Sequence, residues 1–184
     1  VAAVSLAVLP GRALAQSSYL VQGPTTVAFA PLAGATKVNV SSFSGISVAL
    51  PFTFKFYGQA TTSVGVAQHG YLYFAGDDGD SSNTGIPQST AGSFDPTSFI
   101  ASWWDSTYLP SATAGKEVRW GVSGQAPFRV ATFEWSNVAT TSTATTFSHQ
   151  IALYESTNKI RFAYGPTAPG GTVSASVGIQ KEVN

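Results

Sequence analysis

The stretch LPFTFKFYGQATTSVGVAQHGYLYFAG, residues 50–76, decides the fold of this chain. It opens with an aromatic alternation at Phe52, Phe54 and Phe56, continues with alternating valines, and ends in the run Gly-Tyr-Leu-Tyr-Phe. A period of two is typical of strands with one buried face, and the glycines between the runs are typical of turns. The stretch therefore predicts three consecutive strands, and no residue pattern in it is typical of catalysis.

The same period of two recurs through the rest of the chain, and no window shows the spacing of an amphipathic helix. This pattern predicts an all-β protein, an antiparallel β-sandwich of roughly ten strands with jelly-roll or Ig-like packing. We expect a single sandwich domain over residues 17–184, preceded by a short apolar extension over residues 1–16. Further alternating runs are Val118, Trp120 and Val122; Phe147, Ile151 and Leu153; and Ile160, Phe162 and Tyr164.

The composition excludes several classes of function. Nine Lys and Arg balance nine Asp and Glu, and charged residues make up 10 % of the 184 residues, against about 25 % in an average globular protein. Because a neutral, charge-poor surface has no field that attracts nucleic acid, we expect no nucleic-acid partner. Net charge near zero favours self-association instead. Cysteine is absent, which excludes disulfides, thiolate zinc sites and cysteine nucleophiles.

Residues 1–16, VAAVSLAVLPGRALAQ, resemble the end of a secretory signal peptide. An apolar run to Leu9 is followed by a Pro-Gly break and by Ala13-Leu14-Ala15, the small-x-small pattern at which signal peptidase cleaves. We therefore expect a secreted protein, located outside the cell or at its surface. The apolar run is too short for a transmembrane helix, so we expect no stable membrane span.

A second interpretation is that residues 1–16 are retained and that their apolar part works as a strand. Val4, Leu6 and Val8 would then share one face, with small residues on the other. Such an alternation suits a strand that one subunit inserts into a groove of another, the mode called β-strand addition. Val4, Leu6 and Val8 are therefore candidate partner-binding residues, with other copies of the chain as the partner.

The densest acidic cluster, GDDGDSSN, is a candidate calcium site through Asp77, Asp78 and Asp80. Calcium takes about six to eight oxygen ligands, and carboxylates close together on a loop could supply several of them. The EF-hand pattern is not met, since no Glu closes the loop. The alternative is a solvated hairpin loop of turn-forming residues. Calcium is the one cofactor that the sequence suggests.

Catalytic patterns are weak in this sequence. The two histidines, His69 and His149, have no carboxylates at helical spacing and give little indication of zinc. His149 is in register with apolar residues, which predicts a core-edge histidine bonded to the main chain. Acidic residues could in principle pair for glycoside hydrolysis, but any sandwich with nine acids offers such pairs. We therefore expect no enzymatic activity. The acids weighed are Asp105, Glu117, Glu134 and Glu155.

Aromatic side chains offer a second kind of binding site. Trp104, Tyr71 and Tyr73 could form a platform that stacks on sugar rings. Trp103 and Trp104 are adjacent on one predicted strand and point to opposite faces, so the outward one is a candidate for contact with a glycan or protein. The alternative is that these aromatics belong to the core.

With the strands placed, five segments in order resemble one family. The match covers about residues 48–180 and rests on the order of the segments, since each alone would be weak. Similar segments occur in repeated β-domains of bacterial surface and secreted proteins, and the layout is also similar to the extracellular nidogen-type (NIDO) domain. The segments are Pro51-Phe-Thr-Phe-Lys-Phe-Tyr-Gly with the following Val-x-Gln-His-Gly-Tyr-Leu-Tyr-Phe, Phe99-Ile-Ala-Ser-Trp-Trp-Asp, Phe128-Arg-Val-Ala-Thr-Phe-Glu-Trp, Ile160-Arg-Phe-Ala-Tyr-Gly and Ser176-Val-Gly-Ile-Gln.

The resemblance implies an extracellular β-domain used in surface, adhesive or matrix contexts, without a shared catalytic site. It places Asp105, Glu134 and Glu155 at recurrent positions, where bonds to loop amides or to Arg129 and Arg161 are expected. The chain departs from the pattern before its Gly-Tyr pair, where a histidine replaces the usual asparagine, a residue that tolerates a left-handed turn.

Together these observations predict a secreted, non-catalytic structural or adhesive protein. Its partners would be other copies of itself, surface proteins or glycans. One form of this hypothesis is a self-assembling subunit of an extracellular fibre or matrix, joined by β-strand addition. The alternative is a lectin-like, carbohydrate-binding module that uses exposed aromatic side chains.

Overall fold

The computed structural model describes residues 19–26, 28–41, 44–76, 81–88, 96–109, 115–140, 145–166 and 174–182, together with the backbone of residues 2–8. These residues form strands, turns and irregular segments. In this part of the chain there is no helix, and so none that is long and apolar enough to cross a bilayer.

Thirteen strands lie within the described residues, in keeping with the period of two in the sequence. They are β1 (Ala2–Val8), β2 (Tyr19–Thr26), β3 (Thr36–Val38), β4 (Ile46–Phe56), β5 (Gln59–Val66), β6 (Tyr71–Gly76), β7 (Pro96–Trp104), β8 (Thr107–Tyr108), β9 (Glu117–Ser123), β10 (Val130–Thr140), β11 (Phe147–Tyr154), β12 (Ile160–Tyr164) and β13 (Ser176–Gln180).

The strands form two antiparallel sheets. The eight-stranded sheet has the order β2-β1-β12-β11-β10-β9-β3, with β8 paired to β10 outside this path, and the five-stranded sheet has the order β13-β7-β6-β5-β4. The predicted all-β antiparallel sandwich is confirmed. Its strand order is that of two meanders, β4 to β7 and β9 to β12, whereas jelly rolls and Ig-like sandwiches are built from Greek keys.

The inner faces of the two sheets enclose the main core. Along β4, every second residue from Val48 to Phe56 is buried and the residues between them are exposed. Each of these large apolar side chains contributes about 1.5–3 kcal/mol by leaving water. They meet Phe133 of β10 and Ile151 of β11 in one cluster. The alternation that marked residues 50–76 is therefore the inner wall of the sandwich.

A second, smaller core covers the outer face of the five-stranded sheet. Tyr71 of β6 and Phe99 and Trp104 of β7 are fully buried there, and Ile86 packs against them. Ile86 belongs to the segment of residues 81–88, which we call the outer cover. The sandwich therefore has three layers at this place.

Hydrogen bonds of polar side chains connect the outer cover to β13 and to the residues just before it. Gln88 and Gln180 exchange two hydrogen bonds: the Gln88 amide donates to Gln180 Oε1 at 2.6 Å, and Gln180 Nε2 donates to Gln88 Oε1 at 2.9 Å. Asn83 Nδ2 donates to the main-chain oxygen of Ser174 and, at 3.1 Å, to Ser176 Oγ. These bonds satisfy polar groups that the cover would otherwise bury without partners.

Candidate functional site

The edge of the eight-stranded sheet contains the segment that the sequence marks as partner-binding. β1 lies between β12 and β2 and pairs antiparallel with both. The register places Val4 opposite Phe162 and Leu6 opposite Ile160, and both of these β12 residues are buried in the main core. The positions of β1 that carry large residues are therefore aligned with the buried positions of β12. In the single chain, β1 completes its own sheet.

β2 is the outermost strand of this edge and is anchored at one end. Val8 pairs with Tyr19, whose ring lies 5.0 Å from that of Tyr57 and 5.9 Å from that of Phe56, measured between centroids. The Tyr19 hydroxyl donates to the main-chain oxygen of Lys55 at 3.3 Å, and burial raises the pKa of this phenol far above its usual value. The other seven residues of β2 are exposed, so this strand buries little besides one ring.

Two candidate residues of the sugar-stacking platform, Trp104 and Tyr71, have no exposed face. Both side chains are fully buried in the smaller core. The pairing of β7 with β13 is irregular near Trp104, and Trp104 lies in the same cluster as Phe99 under the outer cover. Trp103 packs against the main core instead. Sequence reasoning separated the two tryptophans correctly but could not see that the outer face is also covered.

Tyr73, the third residue of the predicted platform, is half-buried, and its ring lies close to Gly65 and Gly45. A Cβ at Gly65 would lie 2.0 Å from the Tyr73 ring, and one at Gly45 would lie 2.8 Å from it. The ring thus fills the space that two absent side chains leave, and glycine is required at both positions. The three aromatics do not form one exposed surface, and the proposed sugar-stacking platform is not present.

Glu134 is the most deeply enclosed charge among the described residues, with its side chain 1 % exposed. It accepts hydrogen bonds from Arg119 at 2.6 and 3.0 Å, from Gln150 Nε2 at 2.6 Å and from the amide of Leu32 at 2.8 Å. The expected bond to a loop amide is confirmed, and the arginine is Arg119. The strand register sets this choice, because Arg119 of β9 stands opposite Glu134.

Glu155 binds Arg129, one of the two arginines expected as partners of these acids. Glu155 Oε2 accepts from Arg129 Nε at 2.8 Å and from its amide at 3.0 Å, and Oε1 accepts from Nη2 at 2.7 Å. These hydrogen bonds hold the pKa of the Glu155 carboxyl at about 2. Asp105 accepts from the Ser106 amide at 2.8 Å, and Arg161 lies over the ring of Tyr154. Each carboxylate is thus held by partners of its own.

A serine and a histidine that the sequence does not mark as a pair join the two sheets. Ser102 Oγ of β7 and His149 Nδ1 of β11 lie 2.8 Å apart, and both side chains are fully buried. The imidazole stacks on Trp135 at 5.0 Å between centroids. Burial lowers the pKa of His149 to about 3, so the ring is neutral at pH 7. The expected main-chain partner is replaced by a hydroxyl.

The turn between β5 and β6 depends on Gly70. Its φ is +89°, and a Cβ there would lie 1.9 Å from the main-chain oxygen of Trp103. His69 is buried, and its Nδ1 accepts from the Thr107 amide at 3.4 Å. Gly70, and not His69, therefore takes the left-handed conformation of this turn. The His69 side chain binds the main chain of β8 at Thr107 instead.

The candidate calcium ligands belong to the acidic cluster GDDGDSSN. Asp77, Asp78 and Asp80 lie outside the described residues, and their calcium site stays a prediction. Elsewhere in the described ranges, no group of three or more histidine, aspartate or glutamate side chains could hold a metal ion.

Comparison with known proteins supplies a family. Residues 18–184 match the family described as NIDO related. No curated protein and no solved structure matches the chain. The matched residues include every strand from β2 to β13, whereas β1 precedes them. With this fold and a match over most of its length, the chain belongs to the NIDO-related family of extracellular-type β-domains.

Proposed function

We propose that this domain is a secreted, non-catalytic structural or adhesive protein that joins copies of itself by exchanging β1. The observation that carries the proposal is the position of β1, which is inserted at a sheet edge between β12 and the largely exposed β2. β1 also lies outside the residues that match the family. An appended strand that pairs through its main chain can pair equally with the same edge of another copy.

The composition of β1 and β2 supports the exchange of β1 between copies. β1 and β2 contain no charged residue, although charged side chains are the usual protection of a sheet edge against pairing with other chains. The outer strand has Pro24, which cannot donate to a further strand. β12 has no proline. The edge that β12 would present after β1 leaves is therefore the one suited to receive a strand.

The exchange conserves the contacts of the single chain. If β1 of one copy pairs with β12 of another in the same register, Val4 again stands opposite Phe162 and Leu6 opposite Ile160. Because the pairs made equal the pairs lost, protein concentration and the linker, residues 9–18, decide the balance between monomer and assembly.

Light scattering tests this function. The chain should form oligomers whose mass rises with concentration, and a chain that begins at residue 17 should stay monomeric. The control is Phe128→Ser, which removes the most exposed large apolar side chain, 73 % exposed, and should leave the oligomers intact. Equal oligomers with and without residues 1–16, or oligomers lost only in the control variant, would show that β1 is not the exchanged element.

A further inference from the structure

The five-stranded sheet is not continuous between β5 and β6. The two strands pair only where Gly65 meets Tyr73 and Val66 meets Leu72. Beyond these pairs, β5 stays with β4 as far as Gln59, and β6 stays with β7 as far as Gly76. The sheet therefore splits, and its two halves diverge from the turn at Gly70.

A cleft of about 420 Å³ occupies this split. Ala60 and Thr61 of β5 line one wall, Ala75 of β6 lines the other, and Phe56 and Phe74 lie at the base. The two rings are stacked, with centroids 4.5 Å apart. The cleft therefore has strand edges for walls and core aromatic rings at its base.

The β5 wall shows the signs of a strand edge without a neighbour. Thr61 Oγ1 donates to the main-chain oxygen of Ser63 at 2.6 Å and accepts from the Ser63 amide at 3.2 Å. A side chain thus takes the place that an adjacent strand would have. Among the described residues, no strand other than β4 pairs with the part of β5 from Gln59 to Val64.

We propose that this cleft receives β1 of a second copy as an added strand. The inference rests on the proposed function, since β1 is again the donated strand, and it adds a second receiving site to the edge of β12. Lengths agree, since the unpaired part of β5 spans six residues and β1 has seven. Main-chain groups of the two walls would supply the hydrogen bonds of β-strand addition, antiparallel on one side and parallel on the other.

The charge and the side-chain sizes of β1 also suit the cleft. The rim carries Lys181 and Glu182, which cancel, and β1 has no charge. The sequence of β1 alternates large residues, Val4, Leu6 and Val8, with small ones. An inserted strand has two faces, and the aromatic base of the cleft provides an apolar surface for the one with the large residues.

Binding in the cleft differs from exchange at β12 in its symmetry. When two copies exchange β1 onto β12, each gives and receives the same strand, and the assembly closes as a dimer. A strand placed in the cleft leaves the second copy with its own β1 to donate to a third. This contact is heterologous, and it grows into an open filament unless the rotation closes a ring.

Disulfide trapping tests the cleft. The chain has no cysteine, so a pair of single-cysteine variants can form only intermolecular bonds. Ser5→Cys is mixed with Ala60→Cys for the cleft, and Ala3→Cys with Ala163→Cys for the β12 edge, where the two residues are paired. Ser123→Cys, an exposed position of β9 in the other sheet, is the matched control for Ala60→Cys. Mass spectrometry identifies the joined residues.

The cleft predicts a Ser5–Ala60 crosslink several-fold more abundant than the Ser5–Ser123 one, and oligomers that Ala60→Arg abolishes while Ser123→Arg does not. A crosslink confined to the Ala3–Ala163 pair, with oligomers that resist Ala60→Arg, would overturn the cleft and leave strand exchange at β12 standing. A chain that stays monomeric at high concentration and forms neither crosslink would overturn both.

Discussion

Replacing Glu134 by alanine tests whether this buried carboxylate is a structural bridge. The change removes the acceptor of the Arg119 guanidinium, of Gln150 Nε2 and of the Leu32 amide. Arg119 keeps Glu117 at 3.2 Å, so its charge is not left alone. We therefore expect the lower end of the range for a broken buried ion pair, about 3 kcal/mol. With a denaturant slope of about 2 kcal/mol per M, the urea midpoint falls by about 1.5 M.

Urea unfolding followed by tryptophan fluorescence measures this change. Glu134→Gln keeps the shape and the acceptor for the Leu32 amide but loses the charge, so its midpoint should lie between those of the wild type and the alanine variant. Glu117→Ala, whose side chain is 28 % exposed, is the control and should cost about 0–1 kcal/mol. If Glu134→Ala unfolds within about 0.5 kcal/mol of the wild type, the reasoning that this carboxylate bridges the sheet to Leu32 is refuted.

Three further predictions concern the turn and the pH dependence of stability. Gly70→Ala should lower the melting temperature strongly, because a side chain there meets main-chain oxygen, whereas Gly85→Ala, with nothing within 4 Å of its Cβ, should leave it nearly unchanged. The pKa of His149 is lowered from 6.5, the usual value of histidine, to about 3 in the folded protein. The buried neutral ring therefore does not lower the free energy of unfolding above pH 6.5, and below it this free energy falls by about 1.4 kcal/mol per pH unit of acidification. His149→Phe should remove that slope between pH 6.5 and 4.5, and an unchanged slope would contradict a buried neutral ring. The pKa of Glu155 is lowered from 4.5 to about 2, so its contribution is present above pH 4.5 and lost towards pH 2; Glu155→Gln should flatten the urea midpoint over that lower window alone.

The strands of the inner wall could be predicted from sequence because burial alone decides them. The alternation from Val48 to Phe56 appears unchanged in the structure, and the three strands expected over residues 50–76 are β4, β5 and β6. The burial of Trp104 could not be predicted in the same way. Its burial depends on the outer cover, whose Ile86 lies in a segment without periodicity.

Partners across the sheet were predictable only in part. The resemblance pointed to loop amides or to Arg129 and Arg161 as partners of the three acids, and Glu155 binds Arg129. Glu134 has Arg119, because the register of β9 against β10 places these two residues opposite each other. Register is a property of the assembled sheet, and no spacing within a single strand reveals it. The Ser102–His149 pair joins the two sheets, so it also depends on the tertiary packing and not on spacing within one strand.

The two adjacent tryptophans of β7 lie in different layers of this protein, so their fluorescence can report on each layer separately. Trp103 lies against Phe147 in the main core, at 5.0 Å between ring centroids, and Trp104 lies against Phe99 at 5.2 Å under the outer cover. Opening of the outer cover would expose the indole of Trp104, which is fully buried, whereas Trp103 is already partly exposed in the folded state. Local opening should therefore appear as added acrylamide quenching of the Trp104 emission. Such an optical signal would give the free energy of local opening apart from that of global unfolding. A domain of this size would then come apart layer by layer.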